Sequence, residues 1–377
     1  MRVRNFLVIL VALMLCASVA AADTLMRQVQ RLPLGDTRTV DAWLAAYPRA
    51  PATQRAEAYG ALCEIQARVG RYRAAAEACG RVVDLQGRRA TASSRRSLNF
   101  WRTLADTPAV AVRGEVDVPL TYGWTGMAEA PVQVGSVSSS WGVDTGAEIS
   151  TISASDAARF GAQVIDAPVE VQGSTPGTAA GRIGVIDHLR IGNAHVDNVP
   201  VFILPDAALT FDGRRVPPLL GAPVLYAFGR VEFANHAQRL RLSAARATPL
   251  LGRLGWVDGG LTIELGLARG RVEAHLDTGA NVSELNVSTR ALLTAVQRSR
   301  LTLSTGRLAG VSGQIQRRRW HSHPLDLNLG GGICRLDGLE FGDERAGAQG
   351  RVGIDLVKSC GNFVLDVSTM TFSARGD

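Results

Sequence analysis

The chain has 377 residues, of which 46% are hydrophobic and 20% are charged. This length allows two or three domains with sizeable cores, and the composition excludes extended disorder. The formal net charge is +7, but the arginines are dispersed and no basic stripe with interleaved aromatic residues occurs. This distribution argues against nucleic-acid binding, which needs a clustered basic surface.

The first 22 residues have the pattern of a secretory signal peptide. Two arginines precede the short apolar run 6–15, and small residues with A-x-A-like cleavage choices complete the segment 1–22. The apolar run is too short for a membrane span. Cys16 raises the alternative of a lipid anchor, but Leu15 before it is larger than a lipid-attachment site prefers. We therefore expect a periplasmic or secreted bacterial protein from which the signal peptide has been removed.

Residues 23–108 are predicted to form a small helical domain. The clearest helical spacing of apolar residues runs from Ala56 to Leu85 and is broken at Gly70. The turn at Gly70 and the helix after it resemble one tetratricopeptide-type unit, and an ordinary helical hairpin fits equally well. A domain of this kind offers a scaffold for a protein partner. Its Arg- and Ser-rich end, 87–108, is interpreted as a linker.

Beyond Pro108 the chain changes to short β-type runs separated by Gly- and Pro-marked turns. The clearest runs are Val116 to Leu120, Val132 to Val137, Val185 to Ile191, Val199 to Leu204 and Gln238 to Ser243. The same texture continues to the C-terminus, so we predict a mainly β body.

An internal repeat is the most informative feature of this β-rich region. The motif Asp-Thr-Gly-Ala starts at Asp144 and again at Asp277. In each copy, two glycines follow the motif aspartate at distances of 29 and 33 residues. Further along, each copy has a segment that ends in an apolar residue and a glycine, and this glycine lies 77 residues after the aspartate in the first copy and 76 in the second. These landmarks are Gly173, Gly177, Leu219, Leu220 and Gly221 in the first copy, and Gly306, Gly310, Arg351, Val352 and Gly353 in the second. The repeat predicts two lobes with one plan, over 109–247 and 248–377.

The motif presents a carboxylate at the end of a strand, followed by a tight turn that glycine permits. Two such turns that face each other would bring Asp144 and Asp277 together. Carboxylates at close range cannot both ionise easily, so they share a proton. One can then act as a base on a bound water while the other donates a proton to a carbonyl oxygen. The sequence therefore predicts that these two aspartates are catalytic.

On these motifs, residues 115–376 resemble the retropepsin-like aspartic proteases, present as two fused copies. The resemblance implies a bilobal pair of acid-protease-like β-barrels, preceded here by the small α-helical domain. It implies hydrolysis of an extended polypeptide substrate, with water as the nucleophile and no cofactor. Because one chain carries both halves, a monomer is expected to suffice.

The resemblance also implies a role for each matching residue. Thr145 and Thr278 should hydrogen-bond across the pair of loops, and Gly146 and Gly279 should form the turns. The residues expected to pack behind the catalytic loops are Leu220, Gly221, Val352 and Gly353. Two flaps are expected at about 171–181 and 304–313, with the glycines Gly173, Gly177, Gly306 and Gly310.

This chain departs from the family's pattern at three positions. Glu148 and Asn281 follow the motif alanines, where a small hydroxylated residue is usual, and Arg351 replaces an apolar residue of the second packing segment. None of these changes removes a catalytic atom. The alternative function is a catalytically silent receptor that binds peptides in the same cleft.

Four cysteines remain outside the predicted signal peptide, two in the helical domain and two in the second lobe. Export favours local disulfides, Cys63 with Cys79 and Cys334 with Cys360. The absence of a CxxC motif leaves zinc-ribbon and redox-motif interpretations without support. Two histidines at 321 and 323 could share a strand face, but a third ligand is not evident. No metal site is predicted.

Overall fold

The computed structural model describes residues 25–173, 175–244, 246, 248–344 and 347–376. The predicted signal peptide lies outside these residues. The chain divides into two compact units, one extending to Ala109 and the other starting at Val110. In the described part of the chain, no helix is both long enough and apolar enough to cross a membrane.

The first unit is helical. A helical segment at 25–29 comes first, and the longer helices are α1 Arg38–Ala46, α2 Ala52–Arg68, α3 Tyr72–Gln86 and α4 Ala92–Thr103, with a 3-10 turn at Gly87–Arg89. The predicted break falls between α2 and α3, where Gly70 has a φ of +71° that favours glycine. The helices enclose a core that includes Val40, Trp43 and Ile65.

Helix α4 corrects the interpretation of 87–108 as a linker. The side chain of Thr91 caps this helix by accepting a hydrogen bond from Ser94 N–H at 3.0 Å. Leu98 and Trp101, three residues apart, are both buried, and Trp101 stacks on Tyr72 with 5.7 Å between ring centroids. This buried face stabilises a helix whose other residues are mostly Arg and Ser.

The second unit is mainly β and begins with the first lobe. The strands of this lobe are β1 Ala111–Arg113, β2 Val116–Pro119, β3 Thr121–Tyr122, β4 Ala128–Val134, β5 Val137–Val143, β6 Ser150–Ser153, β7 Gln163–Gln172, β8 Thr178–Ile191, β9 Ala194–Leu204, β10 Thr210–Phe211, β11 Arg214–Arg215, β12 Leu219–Leu220, β13 Arg230–Ala234 and β14 Arg239–Ser243. Its helices are α5 Ala154–Phe160 and α6 Ala222–Ala227, with a 3-10 turn at Asp206–Leu209. The run Val132–Val137, predicted as one strand, instead contains the turn between β4 and β5, where Gly135 has a φ of +56°.

The second lobe repeats this plan. Its strands are β15 Gly252–Val257, β16 Gly260–Leu267, β17 Gly270–Leu276, β18 Glu284–Asn286, β19 Thr302–Gly310, β20 Gly313–His321, β21 Leu325–Leu329, β22 Gly332–Leu336, β23 Glu340–Gly342, β24 Gly350–Val352, β25 Asn362–Asp366 and β26 Thr371–Arg375. Its helices are α7 Ala295–Ser299 and α8 Ile354–Ser359, with a 3-10 turn at Val287–Leu292.

The shared plan is a short strand inserted between two others. In the first lobe β12 pairs in parallel with β5 and antiparallel with β6, and in the second β24 pairs in the same way with β17 and β18. The first lobe closes into a barrel, since β9 pairs with both β6 and β8. The predicted mainly β, bilobal architecture with helices before it is confirmed.

A common sheet joins the two lobes. Strands β2, β14 and β13 of the first lobe continue directly into β25, β26 and β15 of the second, because β13 pairs antiparallel with β25. Phe233 and Phe363 are register partners across this junction, and both are fully buried. The lobes therefore share part of their hydrogen-bonded framework as well as the chain that connects them.

Both predicted disulfides are present. Cys63 and Cys79 connect α2 to α3 with 5.3 Å between their Cα atoms. Cys334 on β22 is bonded to Cys360, directly after α8, with a Cα separation of 5.1 Å. The second bond therefore fixes the end of the helix that follows the packing segment of the second lobe.

Candidate active site

The inserted strands position both motif aspartates. Strand β5 ends immediately before Asp144, whose backbone N–H donates to the carbonyl oxygen of Leu220 on β12 at 3.0 Å. Strand β17 ends immediately before Asp277, whose N–H donates to the carbonyl oxygen of Val352 on β24 at 2.9 Å. Each aspartate therefore extends the parallel strand pairing by one more backbone hydrogen bond. This bond fixes the backbone of the aspartate where the strand ends.

The motif glycines allow the two loops to approach each other closely. Gly146 N–H donates to Asp144 Oδ1 at 2.9 Å, and Gly279 N–H donates to Asp277 Oδ1 at 3.1 Å. A Cβ atom on Gly146 would lie 2.6 Å from Asp277 Oδ1, and one on Gly279 would lie 2.4 Å from Asp144 Oδ2. Each glycine thus leaves the space that the carboxylate of the opposite lobe occupies.

The motif threonines bind the loops together across the lobes. Thr145 Oγ1 accepts a hydrogen bond from Thr278 N–H at 3.1 Å and donates to the carbonyl oxygen of Leu276 at 3.0 Å. Thr278 Oγ1 accepts from Thr145 N–H at 3.0 Å and donates to the carbonyl oxygen of Val143 at 2.6 Å. Both threonines are buried. The four bonds form a reciprocal set that holds the two aspartates in register.

Two serines that the sequence interpretation missed support these loops. Ser150 Oγ accepts from Gly221 N–H at 3.1 Å, and Ser283 Oγ accepts from Gly353 N–H at 3.0 Å. Each serine stands six residues after its motif aspartate. That matched spacing was available in the repeat and could have identified them.

The predicted packing segments lie against the two loops. Leu220 and Val352 are fully buried. A Cβ atom on Gly221 would lie 2.5 Å from the carbonyl carbon of Ile149, and one on Gly353 would lie 2.7 Å from the carbonyl oxygen of Ala280. Only glycine at these two positions lets the segments lie directly against the backbone of the loops.

The two carboxyl groups interact with each other and have unlike surroundings. The pKa of Asp144 is raised to about 7, first by burial and then by the nearby charge of Asp277, against the lowering effect of hydrogen bonds from the backbone N–H groups of Gly146 and Ala147. The Asp277 side chain is more accessible, with 24% of its surface exposed. A buried acid beside a more exposed carboxylate is suited to holding one shared proton.

Arg351 has a position that its role in packing does not explain. Its Nη1 atom lies 3.3 Å from Asp277 Oδ2, and its side chain is largely buried. The sequence interpretation treated this arginine only as an imperfect packing residue. The structure brings it into direct contact with one of the two carboxylates.

The segments predicted as flaps lie in two hairpins, the first across the hairpin tip and the second mostly along strand β19. Strands β7 and β8 lead to the first tip, which includes Gly173 and residues 175–177, and β19 and β20 enclose the second at 311–312. The tips meet: Thr175 Oγ1 lies 3.1 Å from Ser312 Oγ, and a Cβ atom on Gly173 would lie 2.7 Å from Val311 Cγ2. Gly177 lies beside Ser312, whereas Gly306 and Gly310 lie on β19.

The base of the second hairpin carries a cluster of buried ion pairs. Arg317 Nη2 lies 3.1 Å from Glu284 Oε1, and Arg319 Nη1 lies 2.6 Å from Glu340 Oε2. Three of these four residues, Glu284, Arg319 and Glu340, are less than one-tenth exposed. Among the residues that the structure describes, no three His, Cys, Asp or Glu side chains are grouped as metal ligands would be.

The family comparison matches the region built around Asp144. The aspartyl protease family model matches residues 130–224, which run from β4 to α6. This part of the first lobe is thus similar to aspartyl proteases in sequence. No curated protein is similar enough in sequence to count as a match.

Solved structures give a broader set of similarities. The aspartic proteinase from Irpex lacteus is 13% identical, with 69% of this chain and 97% of that chain covered and a TM-score of 0.47. Basic 7S globulin from soybean is 13% identical, with 69% and 94% covered and a TM-score of 0.46. A retropepsin-like aspartic protease from Rickettsia conorii is 20% identical, with 36% and 94% covered and a TM-score of 0.26.

Proposed function

We propose that the protein is an aspartic endopeptidase in which Asp144 and Asp277 form one catalytic dyad. The observation that carries the proposal is the reciprocal hydrogen bonding of Thr145 and Thr278, which holds the two motif carboxylates together across the lobes. The match of residues 130–224 to the aspartyl protease family supports the same reaction class.

In the proposed mechanism, a water molecule between the carboxyl groups is the nucleophile. The ionised carboxylate takes a proton from the water as the oxygen attacks the peptide carbonyl carbon, and the protonated carboxyl group donates to the carbonyl oxygen. Collapse of the tetrahedral intermediate returns a proton to the leaving nitrogen. The raised pKa of Asp144 supports a proton on the dyad in mildly acidic and near-neutral solution.

The proposed substrate is a polypeptide in extended conformation, bound beneath the two hairpin tips. An extended segment fits because hairpin strands can pair with its backbone while alternate side chains point into the lobes. We also propose that the protein acts outside the cytoplasm as a monomer. The two disulfides support export, since such bonds persist in oxidising compartments.

The test is cleavage of an unfolded reporter protein by the mature chain and by Asp144→Asn and Asp277→Asn. Each substitution should abolish cleavage, and the double variant should be no worse, because the two groups act as one unit. Asp326→Asn, which changes an exposed ion-pair partner of Arg335, is the matched control and should keep full activity.

Two further outcomes are informative. Mixing the two single variants should not restore cleavage, because each chain would contain one defective dyad. Restoration would show that lobes pair between chains. Substantial cleavage by either single variant would refute the shared dyad, and peptide binding without cleavage by the wild type would identify a receptor.

A further inference from the structure

The two aspartates have the same backbone setting but different neighbours at one matched position. On β12, Leu219 is the register partner of Gly142, two residues before Asp144. On β24, Arg351 is the register partner of His275, two residues before Asp277. The repeat thus places an apolar side chain beside one carboxylate strand and a guanidinium beside the other.

Buried contacts hold the guanidinium in place. Arg351 Nη1 lies 3.3 Å from Asp277 Oδ2, and only 13% of the arginine side chain is exposed. Its Nε atom is buried without a hydrogen-bond partner. Burying an N–H group in this way is unfavourable, so the position is a poor choice for packing alone. The polar contact described for its side chain is the one with Asp277.

Other charged groups surround this pair on every side. Glu284 on β18 is the register partner of Arg351 and is bound to Arg317 at 3.1 Å. Asp144 faces Asp277 from the first lobe, and His275 precedes it on β17.

On α8, Asp355 is directed at Ser283, whose N–H and Oγ donate to it at 2.9 and 2.6 Å. Arg351 is therefore a cation in direct contact with Asp277, and the carboxylates of Glu284 and Asp355 have other partners.

We propose that Arg351 is a positioning residue that assigns different roles to the two aspartates. Its positive charge favours the ionised form of Asp277, because an opposite charge at this distance stabilises a carboxylate. The shared proton then resides on Asp144, in the more buried half of the dyad. This inference rests on the proposed protease function and specifies how that site works.

The assignment gives a definite sequence of proton transfers. Asp277 takes a proton from the water while the water oxygen bonds to the peptide carbonyl carbon, and Asp144 gives its proton to the carbonyl oxygen. The carbon–nitrogen bond then breaks. Asp277 passes its proton to the leaving nitrogen, and Asp144 regains one from the hydroxyl that becomes the new carboxyl group. The dyad returns to its starting state.

The first test compares pH–rate profiles of kcat/KM for wild type, Arg351→Leu and Arg351→Lys. Leucine is the residue that the first lobe carries at the matched position, Leu219. In Arg351→Leu the acidic limb should move upward by about one pH unit, which corresponds to about a tenfold loss at a fixed pH on that limb. Arg351→Lys should restore most of the wild-type profile. Arg335→Leu removes the same charge from an exposed ion pair and should leave the profile unchanged.

The second test does not require proteolysis. Carbon-13 labelling of aspartate carboxyl groups, with assignment through Asp144→Asn and Asp277→Asn, follows each titration by NMR. In the wild type the Asp277 signal should change at lower pH than the Asp144 signal, and in Arg351→Leu the separation should shrink. Titration of Asp144 first, or an unchanged separation and acidic limb in Arg351→Leu, would overturn the proposal.

The two tests separate two kinds of failure. A wild-type chain that cleaves nothing would refute the proposed protease function, while the order of the NMR titrations would still decide the role of Arg351. If Arg351→Leu does not fold, the order of titration in the wild-type chain alone decides whether the proposal stands.

Discussion

Thr145 and Thr278 each accept the other's backbone N–H, at 3.0 and 3.1 Å, although 132 residues lie between them in the chain. Each hydroxyl also donates to the opposite lobe, so one side chain makes two cross-lobe bonds. This pairing connects the stability of the interface to the geometry of the dyad.

Thr145→Val and Thr278→Val should each lower the free energy of unfolding by about 2–4 kcal/mol, because each leaves buried polar groups without partners. Their effects should be coupled, since each hydroxyl receives the other residue's N–H. Urea unfolding of the single and double variants measures both quantities. Thr289→Val is a suitable control, because Thr289 is also buried but bonds within its own lobe, to the carbonyl oxygen of Asn286. Its effect should add to that of Thr278→Val, and additivity for the cross-lobe pair would contradict the argument.

Gly279→Ala should abolish cleavage while the chain still folds. The added Cβ would lie 2.4 Å from Asp144 Oδ2, so the carboxyl group must move away from its partner. Cleavage assays and thermal unfolding separate the two effects. Gly60→Ala, which adds a methyl group in helix α2 where no atom lies within 4 Å, should leave cleavage intact and stabilise the helix by about 0.5–1 kcal/mol. Normal cleavage by Gly279→Ala would mean that the loops are less closely packed than described.

Asp144→Asn should become more stable than the wild type as the pH rises. Burial and the nearby charge of Asp277 raise the pKa of Asp144 to about 7, so from about pH 4 to pH 7 the folded chain keeps a proton that the unfolded chain releases. Wild-type stability therefore falls across this range, and asparagine does not titrate. The advantage of the variant should be absent near pH 4 and reach roughly 2–4 kcal/mol at pH 8. Urea unfolding at several pH values measures it, with Asp326→Asn for comparison. A difference that does not depend on pH would show that Asp144 is not buried as an acid.

A cross-link between the hairpin tips should block access of large substrates. Thr175 Oγ1 and Ser312 Oγ are 3.1 Å apart, so cysteines at these positions can form a disulfide after small local adjustment. The oxidised double variant should lose cleavage of an unfolded protein, and mild reduction should restore it. The single variants Thr175→Cys and Ser312→Cys should be unaffected by oxidation. Full activity of the cross-linked chain would show that substrates enter without separation of the tips.

The prediction of the candidate site rests on the internal repeat, whose information is local and duplicated. Asp144 and Asp277 occur in identical motifs with matched landmarks, and a motif placed at the end of a strand largely determines where its carboxylate lies. The same reasoning led to the predictions of the two lobes, the packing segments and the flaps. It failed to predict the contact of Arg351 with Asp277, since the direction of a long side chain depends on strand register, which the sequence does not state.

Composition misled the interpretation of two other segments. Residues 87–108 were interpreted as a linker because Arg and Ser predominate, yet Leu98 and Trp101 bury one face of a helix. The apolar run 132–137 was predicted as one strand, but the positive φ of Gly135 turns the chain within it. In both cases a few individual residues determined the local structure, and the average composition of the segment did not. The resemblance of the helical hairpin to a tetratricopeptide unit stays a prediction.

In the proposed protease, the difference between Leu219 and Arg351 would distinguish the two ends of the substrate-binding cleft. A protease assembled from two identical chains has a true two-fold axis, so a peptide and the same peptide turned end to end meet equivalent surroundings. Here the strand beside the one that leads to Asp144 carries leucine, and the strand beside the one that leads to Asp277 carries arginine, at the matched position. The N-terminal and C-terminal halves of a substrate would therefore contact different side chains. One orientation of the bound peptide would be favoured over its reverse. Fusion of the two lobes into one chain makes this possible, because either half can change without the other.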